Sequence, residues 1–431
     1  MTTKTIKVDY LARVEGEGAF HLKIKDEQVT EAHLKIFEPP RFFEAFMRGR
    51  HFTEAPDITS RICGICPVAY MMSSARAMED AIGLEIPDYI HQWRRLIYCG
   101  EWIESHVLHM VMLHVPDFLG FDGAVEMAKT HGKWVQLGLR VKKAGNDILN
   151  LLGGREIHPI NVRIGGFYKL PTKKELAILR ETSVKAREES IELLNWLATF
   201  DFPELTRDYL FVSISGDETH YPITEGHLIT NEKHAIELKD YETYFIEEHI
   251  EYTNALHSHF HDGRPYLVGP IARYNLCFDK LSSLAKEAAK NIQLERTVKN
   301  PFKSLLVRGV ETIYAFDEAI RIIDLNLPRE QPFVEPVARA GIGFGCSEAP
   351  RGALWHRYKI DENGEILEAK IVPPTSQNQK TIEADLIDFA GRHMNTMNDE
   401  DLKWHCEQAI RNYDPCISCA THFLKLNVER G

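Results

Sequence analysis

The sequence predicts an α+β fold that is mostly α, a long-helix bundle core with small β-sheets or hairpins near the N- and C-terminal parts. Three observations predict it. Residues 5–37 alternate apolar and polar side chains around an Asp26-Glu27 turn, the period-2 signature of half-buried strands. Residues 353–372 repeat that form around Asp361-Glu362-Asn363-Gly364, and Asn-Gly is a strong hairpin signal. Long stretches with apolar residues at helical spacing fill the remainder, several of them beyond 20 residues.

Taken in order, Phe20, Leu22 and Ile24 point one way and His21 and Lys23 the other. After the turn, residues 32–37 alternate again and Pro39-Pro40 ends the hairpin. Pro67 suits a first helical position and Gly83 a helix end. Between them Val68, Met72, Ala75, Met78 and Ile82 keep one apolar stripe, which assigns those methionines to the core. Residues 89–115 read as a helix that Pro116 stops. Helices are also predicted over 121–152, 173–200, 279–297, 302–325, 378–396 and 398–412. The second hairpin, like the first, ends in a double proline, Pro373-Pro374. The spacing predicts one integrated unit over 1–431. Its parts are a β-rich segment (1–60), a helical core with inserted strands (61–340), a hairpin with helices (341–422) and a tail (423–431).

The chain has 431 residues, of which 44% are hydrophobic and 26% charged, an ordinary globular composition. Its 51 Lys and Arg against 63 Asp and Glu give a net charge of −12. A nucleic-acid binder needs a basic footprint, so no nucleic-acid partner is expected. No apolar run approaches the roughly 20 residues of a membrane helix, and residues 1–10 carry no signal-peptide core or twin arginine. The expectation is a cytoplasmic protein without a membrane span.

Eight cysteines are present. Cys99, Cys277, Cys346 and Cys406 are isolated and read as small buried hydrophobes. The other four form two C-x-x-C pairs, Cys63/Cys66 and Cys416/Cys419, near opposite ends of the chain. Each pair fits an independent redox dithiol or half of one four-thiolate site. Soft thiolates favour nickel, iron, copper or zinc over hard cations.

The flanks of these pairs carry a resemblance. Arg61-Ile62-Cys63-Gly64-Ile65-Cys66-Pro67 and Asp414-Pro415-Cys416-Ile417-Ser418-Cys419-Ala420-Thr421-His422 resemble the two signature motifs of nickel–iron hydrogenase large subunits. Supporting motifs follow in the same order: Arg13-Val14-Glu15-Gly16, Arg41-Phe42-Phe43-Glu44, Val268-Gly269-Pro270-Ile271-Ala272-Arg273, Glu348-Ala349-Pro350-Arg351-Gly352 and Val372-Pro373-Pro374-Thr375. The similarity runs from about residue 6 to residue 422 and is strongest to the cytoplasmic NAD(P)-linked, sulfhydrogenase-type branch.

The resemblance implies reversible heterolytic cleavage of dihydrogen at a nickel–iron centre. Cys63 and Cys416 would be terminal nickel ligands, and Cys66 and Cys419 would bridge to an iron carrying carbonyl and cyanide ligands. Glu15 would be the first proton carrier beside Cys416. Arg351 would sit over the open metal position, oriented by Asp117 and Asp414, and would donate to a cyanide with the fixed fork that lysine lacks. Thr375, behind Pro374, would donate a second hydrogen bond to a cyanide. Glu44 and His422 would hold a separate cation, magnesium or iron. Electrons would leave through a small subunit with iron–sulfur clusters, and flavin-bearing, NAD(P)-binding and ferredoxin-like subunits would follow. Maturation would need nickel-insertion proteins and a protease that removes 423–431.

Two positions depart from the family pattern. Tyr70 and Glu17 stand where relatives often carry histidines. Two competing readings remain. His257, His259 and His261 alternate, and on a strand they could bind the zinc of a hydrolase. A complex I-like quinone-site subunit shares the fold but typically lacks the four cysteines. The glycines of 341–345 have the wrong spacing for a dinucleotide loop, so nicotinamide binding is assigned to a partner.

Overall fold

The computed structural model describes residues 3–216 and 219–421. His422 and the predicted tail 423–431 lie outside the described residues. About half of the chain is helical, with small sheets set around the helices.

The N-terminal sheet is antiparallel, in the order Thr3–Val8, Gly18–Lys25, Gln28–Ile36. Phe20, Leu22 and Leu34 are fully buried beneath it. Asp26 and Glu27 turn the hairpin, both with positive φ (48° and 60°), as a type I′ turn demands. The C-terminal sheet repeats the arrangement with Gly341–Ala349, Gly352–Ile360 and Ile366–Val372. Its first strand was not anticipated, because three glycines alternate through it. The structure gives the reason. A Cβ on Gly341, Gly343 or Gly345 would lie 2.0, 2.0 or 2.2 Å from the carbonyl oxygens of Ala81, Ala77 and Ser73. The strand therefore lies flat on the Pro67–Ile82 helix, which starts at Pro67 and ends against Gly83 (φ 67°).

The long helices form the centre. Asp88–Val107 crosses Ala124–Gly153 where Gly100 and Gly145 remove the side chains; a Cβ on Gly145 would be 2.9 Å from the Gly100 oxygen. Ser304–Asp324 packs against Asp88–Val107 and Lys173–Leu197. Pro374–His393 and Asp399–Arg411 complete the set. Two predicted boundaries change. Pro116 does not stop a helix but starts the short Val115–Leu119 helix, after a π-helical stretch Leu108–His114. The predicted 279–297 helix shrinks to Ser283–Asn291.

A further sheet has the order Tyr266–Leu267, Leu210–Ser215, His227–Thr230, Ala235–Ile236. It delivers the chain to Gly269, whose Cβ would lie 2.7 Å from the Arg351 carbonyl oxygen, at a φ of 113° that favours glycine. The ends of the chain meet at a parallel bridge between Glu15 and Cys416.

Candidate metal centre

Cys63 ends the short Ser60–Ile62 turn in extended conformation, and Cys66 immediately precedes the Pro67–Ile82 helix. The amides of Ile65 and Cys66 donate to Cys63 Sγ at 3.3 and 3.4 Å. Cys416 is held by its bridge to Glu15, and Cys419 sits on the one-turn Ile417–Ala420 helix. The two pairs, 353 positions apart, face one another. Cys63 Sγ lies 3.4 Å from Cys416 Sγ, Cys66 Sγ 3.7 Å from Cys419 Sγ, and Cys416 Sγ 2.8 Å from Cys419 Sγ. All four sulfurs lie within 4.8 Å of one another, and all four residues are buried.

Such a set cannot be four ordinary thiols. Hydrogen bonds from Cys416, then Cys419 and Cys66, hold Cys63 well below the usual thiol range, while burial pushes Cys416 well above it. One ionised sulfur raises the price of ionising the next. A bound cation removes that conflict, and a soft divalent metal matches the donor set. The residues present fit a nickel–iron pair on a further count. Arg351 reaches toward the thiolates, and its Nη1 is buried without a hydrogen-bond partner among the described residues.

Asp414 anchors Arg351. Arg351 Nε donates to the Asp414 carbonyl oxygen at 2.7 Å, and its Nη2 lies 3.2 Å from Asp414 Oδ1. Burial opposes the guanidinium charge, but Asp414 first, then Cys416, Cys66 and Cys63, raise its pKa well above the ordinary value. Asp414 itself has a positive φ of 51° directly before Pro415, a strained position. Asp117 is not the second carboxylate on Arg351. Its oxygens accept from Arg411 Nε and Nη2, both at 2.7 Å, and from Arg13 Nη2 at 2.5 Å. Asp117 lies on the short Val115–Leu119 helix that follows the π-helical stretch, near the start of the chain. There it clamps Arg13, two residues before Glu15, to Arg411, five residues before Cys416.

Glu15 is half-buried, with Oε2 3.1 Å from Cys416 Sγ. Burial raises its pKa, and the negative charge at Cys63 adds to the rise. Thr375 takes the Cys416 amide on its Oγ1 at 3.0 Å, so its own hydroxyl proton is left to donate elsewhere. Pro374 is buried in the first turn of Pro374–His393 and sets where Thr375 sits. Glu44 accepts from the Ile371 amide at 2.8 Å, and burial pushes its pKa up to about 7. Tyr70 is fully buried, with a pKa raised by burial and then by Cys419, Cys66 and Cys416.

Several residues that shape the site were not singled out from sequence. Arg41 Nη2 donates to the Ile62 oxygen at 2.6 Å and also to the Ser418 oxygen, tying the two cysteine motifs together. Arg273 holds the Arg351 turn through the Ala349 and Pro350 oxygens at 2.7 and 3.0 Å, and pairs with the buried Glu311 and Glu348. Glu101 accepts from the amides of Val68 and Ala69, at the positive end of the helix that follows Cys66. Arg41 and Arg273 lie inside motifs quoted from the sequence, which was the available signal. Glu101 had none beyond a charge on an otherwise apolar helix face.

The zinc reading is not supported. His257 and His259 lie on Leu256–Phe260, but His261 falls beyond the strand, and the His259 Nδ1 bonds the Phe260 oxygen at 2.7 Å. Among the described residues the four cysteines are the one group of three or more donors placed to share an ion. The presence of all four removes the quinone-site alternative as well.

A helical core with thiolates from both ends of the chain gathered in one buried pocket defines the catalytic subunit of a metal-dependent oxidoreductase. Comparisons with known proteins agree. The family model described as nickel-dependent hydrogenase matches residues 41–136 and 224–422. Sulfhydrogenase 2 subunit alpha of Pyrococcus furiosus is 35% identical over 98% of this chain and 100% of its own length. NAD-reducing hydrogenase HoxS subunit beta of Cupriavidus necator is 28% identical over 98% of this chain and 95% of its own. A solved NAD+-reducing NiFe-hydrogenase in the H2-reduced state superposes with a TM-score of 0.88 at 25% identity, covering 97% of this chain and 99% of that one. The chain belongs to the nickel-dependent hydrogenase family, as a large subunit.

Proposed function

We propose that Cys63, Cys66, Cys416 and Cys419 would hold a nickel–iron pair, with Cys66 and Cys419 as the residues that would serve both metals and with carbon monoxide and cyanide completing the iron. The convergence of four buried sulfurs within 4.8 Å carries this reading. When bound, the metal pair supplies heterolytic cleavage of dihydrogen. The chain's own residues do the rest. Cys416 takes the released proton and passes it to Glu15 across 3.1 Å. Glu15 is suited to both halves of that exchange because burial lifts its pKa toward neutrality. Arg351, fixed by Asp414, leaves its Nη1 without a partner among the described residues, so it would be available to donate to a cyanide. Thr375 would donate a second hydrogen bond to a cyanide. Burial of the pocket excludes water from the reacting atoms.

Glu44 and His422 hold a hard cation, magnesium or iron, in this reading. Electrons leave to a small subunit with iron–sulfur clusters, and then to flavin-bearing, ferredoxin-like and NAD(P)-binding subunits in the cytoplasm. The name of the NAD-reducing relative supports the nicotinamide end of that route, and both names are those of one subunit of a larger enzyme. Nickel-insertion proteins load the site, and a protease then removes 423–431.

Elemental analysis of the chain purified from its host tests the centre. The expected result is nickel at one equivalent per chain, lost in Cys63→Ser and Cys419→Ser. Nickel that survives both substitutions overturns the assignment. Intact mass of the active enzyme tests the tail, since an active form that keeps all of 423–431 refutes its removal.

A further inference from the structure

Six arginines are buried among the described residues, and five of them pair with a carboxylate. Arg273 pairs with Glu311 and Glu348, for example, and Arg351 with Asp414. Arg308 is the exception. It lies on the Ser304–Asp324 helix with 1% of its surface exposed, and it forms no ion pair among the described residues. Its guanidinium makes one long hydrogen bond, from Nη1 to the Asn412 carbonyl oxygen at 3.3 Å. Its Nε and Nη2 have no partner among the described residues. The nearby acids are committed elsewhere, Asp414 to Arg351 and Glu311 to Arg273. Burial drags the pKa of Arg308 down to about 10, and the pull of Asp414 and Glu311 does not restore it. Buried charges are normally paired, because an unpaired one is strongly destabilising.

The guanidinium lines a cavity of about 20 Å³. Asn412 lines it too, 2% exposed, with Oδ1 and Nδ2 both unpartnered among the described residues. Arg351 adds a second positive charge to the wall, and Leu267 and Ile271 are part of its apolar remainder. No cysteine lines the cavity, so it is separate from the proposed metal pocket. One water needs roughly 10–15 Å³. The space therefore suits one water or one monatomic ion, and is too small for a carboxylate or a phosphate. The unpartnered groups on the wall are mainly donors: Nε and Nη2 of Arg308, Nη1 of Arg351 and the Asn412 amide. A donor-rich wall around an unneutralised cation favours an anion over water.

We infer that Arg308 and the Asn412 side-chain amide hold a halide-sized monovalent anion, such as chloride, as the counter-ion of the buried guanidinium. The ion would pin two segments together. The Asn412 carbonyl also accepts from Ser304 Oγ at 2.8 Å, and Asn412 stands two residues before Asp414, the anchor of Arg351. The anion thus ties the Ser304–Asp324 helix to the stretch that leads into the second cysteine pair. The inference does not depend on which metal the cysteines hold.

The test uses the assembled holoenzyme, purified in halide-free acetate buffer, with bromide as the probe. Crystals soaked in bromide are examined by anomalous diffraction. In solution, thermal denaturation is followed while bromide replaces acetate at constant ionic strength. The expected result is one bromide per chain against Arg308 Nε and Nη2, and a melting temperature that rises by on the order of 2 °C and then saturates. Arg308→Met should abolish both the bromide peak and the halide dependence. Asn412→Asp supplies an independent check should Arg308→Met fail to fold. It sets a carboxylate beside the guanidinium, so the melting temperature in acetate should rise and its halide dependence vanish. Halide dependence that persists in Arg308→Met or Asn412→Asp overturns the inference. A cavity that holds water and no bromide in the soaked crystals overturns it too. A bromide peak with no effect of halide in solution marks binding at crystal concentration only, and equally refutes the site.

Discussion

The two turns that aim side chains at the cysteines are built alike and anchored differently. Glu15 lies between Thr3–Val8 and Gly18–Lys25, and Arg351 between Gly341–Ala349 and Gly352–Ile360, each at one end of a three-stranded antiparallel sheet. The first sheet has an outer strand with alternate side chains in solvent. The second has a central strand that is buried almost throughout and is backed by the Pro67–Ile82 helix. Arg351 is enclosed, locked by Asp414, and its turn is gripped by Arg273. Glu15 is half-buried and takes the Cys416 thiol and the Ser418 amide on one carboxylate oxygen. A permanent charge is enclosed and paired, while the carboxyl proposed to gain and lose a proton is set beside the sheet with the exposed outer strand.

The sharpest way to break this contrast is to unseat the rigid sheet. Gly343→Val would drive a Cβ into the Ala77 carbonyl, where the free space ends at 2.0 Å. Loss of soluble, folded chain is expected, in the class of substitutions that cost more than about 4 kcal/mol, and thermal denaturation of the purified protein checks it. The next largest effect separates function from stability. Glu15→Gln should lower dihydrogen oxidation by about 10²- to 10⁴-fold, with nickel content and melting temperature unchanged, measured side by side on one preparation. If stability falls with activity, Glu15 is a structural strut like Arg351 and the contrast collapses.

Asp117→Asn comes third. It leaves Arg13 and the buried Arg411 without their shared carboxylate. Removing one partner of a buried pair costs about 3–5 kcal/mol, visible as a lowered denaturation midpoint. Because Asp117 joins the segments carrying Glu15 and Cys416, activity should drop further than that of an equally destabilised variant elsewhere. A pH series follows. Burial lowers the pKa of His106 to about 4, His114 to about 3 and His257 to about 4, from 6.5. The folded protein keeps them neutral where the unfolded chain takes up protons, so the unfolded state binds more protons below pH 6.5. Stability should fall as pH drops from about 6.5 toward 4, by up to about 1.4 kcal/mol per pH unit for each histidine. Chemical denaturation across that range measures it. The smallest effect lies on the open edge of the first sheet, where Lys4 and Asp399 pair in solvent. Lys4→Ala should change stability by no more than about 0.5 kcal/mol.

The thiolate pairs, both hairpins and the main helices were legible in the sequence, because each is written in a contiguous pattern: C-x-x-C, alternation around a turn, an apolar stripe between Pro67 and Gly83. The residues that hold the site in shape were not. Asp117 carries no local sign that it will choose Arg13 and Arg411 over Arg351, since those partners lie 104 and 294 positions away. Glu311 looks like a surface charge on an otherwise apolar stretch until Arg273 is brought to it from 38 positions away. Gly341, Gly343 and Gly345 carry no strand signal, because their role is to vacate space for the neighbouring helix. What escaped was in each case a pairing across distance, and no periodicity reports it.

The bridge between Glu15 and Cys416 joins residues 401 positions apart. The entropy of closing a loop grows with its length, and contacts between distant segments form late in folding. Local hairpins and helices can assemble first, while the C-terminal cysteines still lie outside the pocket. The last seam to shut is then the one that seals the sulfurs. For the metal centre proposed above, the interval before that seam closes is when a metal would be placed between the two cysteine pairs.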